Sequence, residues 1–154
     1  MTVRFYLNGN LVEPDVSPLT RLSDLLRDLY RLIEGPEEQT LILLDGEPVF
    51  PHLVPAFHLK GRLVTTYEGF SGTADCEDIE TGFEEAHFCP CPIHRPVYTF
   101  LVHALLERVS HPEEADTAAA FTGFHPICGG YLSLLDGVRL AARRRFLRHH
   151  EQTR

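Results

Sequence analysis

The segment Cys91-Pro92-Ile93-His94 returns later in the chain in mirror order, as His125-Pro126-Ile127-Cys128. Together the two segments offer two thiols and two imidazoles. A soft thiolate and an imidazole set two residues apart, used twice, is donor chemistry for a four-ligand pocket that holds zinc or an iron–sulfur centre. Cys91, His94, His125 and Cys128 form the leading ligand set, with Cys89, next to Cys91, as a substitute for either histidine. The competing reading is that the pairs are relics, buried thiols and hydrogen-bonded imidazoles left after a metal was lost. Spacing alone leaves both open, because ligand number must be matched by geometry.

Both pairs precede stretches with helical periodicity, so both are expected at helix starts, where the dipole favours thiolate over thiol. One helix is expected over Tyr98 to Val109 and another over about Tyr131 to Leu147. Shorter helices are expected around Ile79, Phe83 and Ala86 and over Glu113 to Phe121. The first half has a different character. Val3 to Leu7 alternates and ends at the hairpin signal Asn8-Gly9-Asn10, followed by a strand over Leu11 to Val16. Leu22, Leu25, Leu26, Leu29 and Ile33 fall at helical spacing, which predicts a helix from Leu22 to Leu32 stopped by Gly35-Pro36. Leu41 to Leu44 reads as a buried strand running into a turn at Asp45-Gly46, and Leu63 to Tyr67 as one more strand. Gly69 to Glu80, small and acidic without periodicity, reads as a linker.

The fold class expected from this pattern is α+β, with one unit over 1–75 and a helical unit over 79–150. A chain of 154 residues, 44% hydrophobic, has enough apolar surface for a proper core. Its net charge of −8 argues against nucleic-acid binding, which needs a basic face. Arg139, Arg143, Arg144, Arg145 and Arg148 suit the solvated side of a last helix. No apolar run approaches the roughly 20 residues that cross a bilayer, and the N-terminus reads as a strand rather than an export signal, so a cytoplasmic location and no membrane partner are expected. In that setting the cysteines are expected reduced or metal-bound, and Cys76, among acids, is read as a surface or linker thiol. His52, His58, His87, His103 and His111 are scattered and read as ordinary surface or satisfied residues. No phosphate-cradling loop, dinucleotide fingerprint or nucleophile elbow occurs, so no catalytic residue is assigned.

The order of landmarks resembles the small iron–sulfur subunit of the molybdenum hydroxylases, the xanthine dehydrogenase, aldehyde oxidoreductase and carbon monoxide dehydrogenase family. Leu7-Asn8-Gly9, Leu22-Ser23-Asp24-Leu25-Leu26-Arg27, Leu43-Leu44-Asp45-Gly46-Glu47-Pro48-Val49, Leu53-Val54-Pro55-Ala56 and Thr65-Thr66-Tyr67-Glu68-Gly69 carry it through the first half. In the second half the family's C-x-x-C-T-P falls on Cys91-Pro92-Ile93-His94-Arg95-Pro96, and its C-x-C-x-G-Y on Pro126-Ile127-Cys128-Gly129-Gly130-Tyr131.

The resemblance implies a β-grasp, ferredoxin-like N-terminal domain and a C-terminal four-helix domain, each with one [2Fe–2S] cluster in the family. It implies electron relay from a molybdopterin-binding large subunit to an FAD subunit. This chain departs from the pattern at both sites. The loop that carries three of the family's cysteines is reduced to Gly35-Pro36-Glu37-Glu38-Gln39, His52 stands in the fourth position, and no cysteine precedes Cys76, so the first cluster is lost. At the second site two thiols remain, His94 replaces a third, and His125 lies one step from the fourth. The resemblance therefore implies at most one centre, a [2Fe–2S] cluster, with zinc or no metal as the alternatives. The functional expectation is a divergent electron-relay subunit of a molybdenum-hydroxylase-like complex, or a redox-inactive structural or assembly subunit of the same shape.

Overall fold

The structure is a computed structural model that describes residues 1–33, 36, 39–124 and 128–154. It divides into two compact units, Met1–Ser71 and Gly72–Arg154. No helix among the described residues is long and apolar enough to cross a membrane.

The first unit is built on a five-stranded sheet of β1 (Phe5–Leu7), β2 (Asn10–Val12), β3 (Ile42–Leu44), β4 (Glu47–Val49) and β5 (Leu63–Thr65), in the order β2-β1-β5-β3-β4. β1 and β5 run parallel, and every other pairing is antiparallel. Two hairpins share one device. Asn8 and Gly9 join β1 to β2 with both φ positive (49° and 83°), and Asp45 and Gly46 join β3 to β4 likewise (52° and 86°). This twist matches that of the flanking strands, and Asn, Asp and Gly are the residues that tolerate it. β1 alternates, burying Phe5 and Leu7 and exposing Tyr6, while all of β3 is buried.

The buried face meets α1 (Leu22–Asp24), and Leu22, Leu25 and Leu26 join Val3, Phe5, Leu7, Ile42 and Val64 in one core. The expected regular helix to Leu32 does not form. After Asp24 the chain widens into a π turn over Leu25–Leu29, which carries an extra residue per turn and swings Leu29 out to solvent. The Leu32 N–H then closes on the Leu26 carbonyl at 2.8 Å, and Ile33 takes a positive φ of 56°. The stop expected at Gly35 lies outside the described residues. The strand expected over Leu63 to Tyr67 ends at Thr65, and Tyr67–Phe70 forms a helical turn, α2. Asn8 directs that ending: its amide donates to the Thr66 hydroxyl (3.0 Å) and accepts from the Thr66 N–H (2.9 Å). A Cβ on Gly69 would lie 2.1 Å from the Asn8 side-chain oxygen, so glycine is required there.

The second unit holds α3 (Ala74–Glu85), α4 (Arg95–Arg108), α5 (Glu114–Ala120) and α6 (Tyr131–Gln152). α3 begins inside the stretch read as a linker. Thr73 caps it, accepting from the Cys76 N–H at 3.2 Å, and Cys76, Ile79 and Phe83 fall on one buried stripe. Of the acids that suggested a linker, Asp75 and Asp78 turn to Arg148 on α6. Cys76 is consequently no surface thiol: it is 1% exposed, and burial pushes its pKa up to about 12.

α4 is buried at every residue from Val97 to Leu106, the polar Thr99 and His103 included. α6 runs past the expected end at Leu147, and its arginines are not a free solvated face. Arg144 pairs with Glu85, Arg145 with Glu107, and Arg148 with Asp75 and Asp78, while Arg139 takes the neighbouring Asp136. Where α3 crosses α6 the helices meet through glycine. A Cβ on Gly82 would come within 2.6 Å of the Ala141 backbone nitrogen, and one on Gly137 within 2.8 Å of the Phe83 ring.

Candidate metal centre

The loop after Phe88 and the residues before α6 bring the donors together. The Cys91 carbonyl accepts from the N–H groups of His94 (3.1 Å) and Arg95 (2.9 Å), a turn that makes His94 the N-cap of α4. The turn folds the two side chains towards each other, and Cys91 Sγ lies 2.8 Å from His94 Nδ1. Cys128 enters from the other segment, its Sγ 3.5 Å from the same nitrogen and accepting the Cys91 backbone N–H at 3.3 Å. The three donor atoms all lie within 4.8 Å of one another, and all three residues are half-buried. Cys89 is exposed and outside this triangle. His125 lies outside the described residues.

Electrostatically the two thiols differ. The adjacent His94 backbone N–H holds the Cys91 thiol below its ordinary range, whereas burial pushes the Cys128 thiol up. His94 Nε2 is buried with no hydrogen-bond partner among the described residues, so Nδ1 is the nitrogen directed at the sulfurs.

Three residues that the motif did not reveal hold this geometry. Tyr98, one turn into α4, donates its hydroxyl to the Cys128 carbonyl at 2.9 Å. Burial, and after it the neighbouring Cys128, push the Tyr98 pKa up to about 12, so it remains a donor at neutral pH. Phe88 packs edge-on between Phe83 (5.0 Å between centroids) and Tyr98 (4.9 Å). Gly129 has φ +82°, and a Cβ there would stand 2.3 Å from the Phe88 ring. The Gly129-Gly130 pair was the available signal, marking a special backbone site beside Cys128.

A second grouping, Asp75, His103 and Glu107, also has donors within 4.8 Å of one another. Its carboxylates are already engaged, Asp75 by Arg148 and Glu107 by Arg145, and His103 is buried beside them. This is an ion-pair network that ties α3 and α4 to α6.

No family profile matches the chain. Individual proteins do. It is 26% identical over 152 residues to one of the subunits of nicotinate dehydrogenase from Pseudomonas putida, covering 94% of this chain and 96% of that one. It is 31% identical to xanthine dehydrogenase of Calliphora vicina, across 90% of this chain but only 12% of that much longer protein. A probable xanthine dehydrogenase subunit from Bacillus subtilis is 27% identical over 135 residues, 78% of its length. Among solved structures, quinoline 2-oxidoreductase of Pseudomonas putida superposes with a TM-score of 0.73 at 24% identity, covering 95% of this chain and 96% of that one. The aldehyde oxidoreductase of Desulfovibrio desulfuricans gives 0.76 at 25% identity, with 96% of this chain matching 17% of that one.

A five-stranded sheet followed by helices that carry a Cys/His cluster defines the class: the chain has the fold of an iron–sulfur-type small subunit. These relatives and structural neighbours support the small-subunit family of the molybdenum hydroxylases. That family usually carries [2Fe–2S] clusters, and this chain's residues meet the requirement poorly. The first unit has no cysteine at all, and the described donors of the second are two sulfurs and one nitrogen.

Proposed function

We propose that this chain is a divergent small subunit of a molybdenum-hydroxylase-like oxidoreductase complex, in which any electron relay runs through one metal centre in the helical half. The observation that carries this reading is end-to-end similarity to a protein that is itself a subunit, 96% of the nicotinate dehydrogenase chain, with Cys91, His94 and Cys128 converging where the family motifs fall. On this reading the first unit is a β-grasp domain retained for its shape. The partners are a molybdopterin-binding large subunit together with, where the relay is complete, an FAD subunit. Purification of the native complex under mild conditions tests it. Molybdenum in stoichiometric amount with this chain is expected, and an isolated chain with no molybdoenzyme partner refutes the reading.

A second reading, a redox-inactive structural or assembly subunit, is favoured by one specific observation. No thiol precedes Cys76, so a relay that passes through both halves of the chain has no cysteine-ligated cluster in the first. Stopped-flow reduction of the complex separates the two: an optical change belonging to this chain during turnover supports relay, and silence supports the scaffold.

A further inference from the structure

We propose that the Cys91/His94/Cys128 site takes a single tetrahedral metal ion of the zinc class in place of a two-iron cluster. The inference deepens the reading above and rests on it for its context, but its geometry stands alone. In a [2Fe–2S] cluster four protein donors divide two and two between irons at opposite ends of a sulfide-bridged rhomb. Any three of those donors must include a pair on different irons, facing across the rhomb. No such pair exists here. Cys91 Sγ, His94 Nδ1 and Cys128 Sγ lie within 4.8 Å of one another, and the nitrogen is 2.8 Å and 3.5 Å from the two sulfurs.

One ion accounts for that triangle. Zinc bonds of about 2.3 Å to sulfur and about 2.0 Å to nitrogen, at tetrahedral angles, give a sulfur–nitrogen edge of about 3.5 Å and a sulfur–sulfur edge of about 3.8 Å. The Cys128–His94 edge, 3.5 Å, already has this length, and the Cys91–His94 edge of 2.8 Å needs to open by roughly 0.7 Å. The donors supply three of four tetrahedral positions, and a mixed thiolate and imidazole set suits zinc. Binding is not a redox step: the two thiols release their protons to solvent, two sulfur–metal bonds form, and His94 enters neutral through Nδ1. The Cys91 N–H that points at Cys128 Sγ, 3.3 Å away, offsets part of the thiolate charge.

The test uses the full chain purified anaerobically without a histidine tag. Iron, zinc and acid-labile sulfide are measured first, and the metal-free protein is then titrated with Co2+ while the ligand-field bands are followed. Expected are about one zinc per chain, no sulfide, and about one Co2+ per chain with the intense bands of a tetrahedral thiolate site. Cys128→Ser should weaken Co2+ binding by at least about 100-fold, and His94→Gln should shift the bands and weaken binding. Cys89→Ser, outside the triangle, should leave both unchanged. Iron and sulfide each near about two per chain overturn the proposal, as does a folded wild-type chain that binds no Co2+. An iron–sulfide chain inside a molybdenum-containing complex refutes this inference alone. A zinc-bound chain with no molybdoenzyme partner refutes the subunit reading alone.

Discussion

Replacing Gly82 by alanine sets local propensity against tertiary packing with opposite signs. In an exposed helix the change stabilises by about 1 kcal/mol, because alanine loses less backbone freedom on folding. At Gly82 the new Cβ would stand 2.6 Å from Ala141 N, 2.9 Å from the Gly137 carbonyl oxygen and 3.0 Å from Ala141 Cα. Every one of these atoms is backbone, so no side chain can rotate aside and α3 must move away from α6. Forced overpacking of this kind costs about 1–3 kcal/mol, and here the same movement loosens the buried contacts of Cys76, Ile79 and Phe83. The packing loss outweighs the propensity gain, and a net destabilisation of up to about 2 kcal/mol is expected, or a fall in Tm of up to roughly 8 °C. Gly137→Ala should cost less, because its nearest neighbour is the Phe83 ring at 2.8 Å and the Phe83 backbone lies at 3.5 Å. Urea unfolding of the three proteins followed by circular dichroism reads the differences. A Gly82→Ala protein more stable than wild type, or one less affected than Gly137→Ala, refutes the close-crossing argument.

Three further outcomes are expected. With metal absent, Cys89 should react at once with a thiol reagent at neutral pH, while buried Cys76, its pKa raised to about 12, should react only on unfolding; equal rates for the two thiols would contradict the helix start at Ala74. Burial holds His103 below the ordinary histidine range, against the upward pull of Asp75 and Glu107 and with a downward push from Arg145. A folded pKa below the unfolded one gives stability that is present above about pH 6.5 and lost as pH falls through the folded value, so unfolding free energy should decline over that window and His103→Gln should flatten the decline. Tyr98→Phe keeps the ring but deletes the 2.9 Å bond to the Cys128 carbonyl; a loss of about 1 kcal/mol in stability and roughly 10-fold weaker Co2+ binding are expected, and unchanged binding would remove Tyr98 from its supporting role.

Features that act over a few residues could be read from the amino-acid order. Asn8-Gly9 and Asp45-Gly46 announce hairpins because few residue types tolerate positive φ, and the periodicity of Leu101, Val102, Leu105 and Leu106 announces the helix α4. The donor types at 91, 94 and 128 were legible too, as was the lack of any cysteine before Cys76, since a thiol that is not encoded cannot be supplied by folding. What failed to show were features fixed by contacts between distant segments. Cys76 looked exposed because its neighbours are acidic, yet Asp75 and Asp78 turn to Arg148, 73 and 70 positions away. The π turn at Leu25–Leu29 breaks the periodicity that the leucines imply, because Leu22, Leu25 and Leu26 satisfy the core and Leu29 does not. Spacing allowed Cys91, His94 and Cys128 to meet but set no distance among them. Packing set it: Phe88 wedged against Gly129, and Tyr98 holding the Cys128 carbonyl, bring the three donors within 4.8 Å of one another.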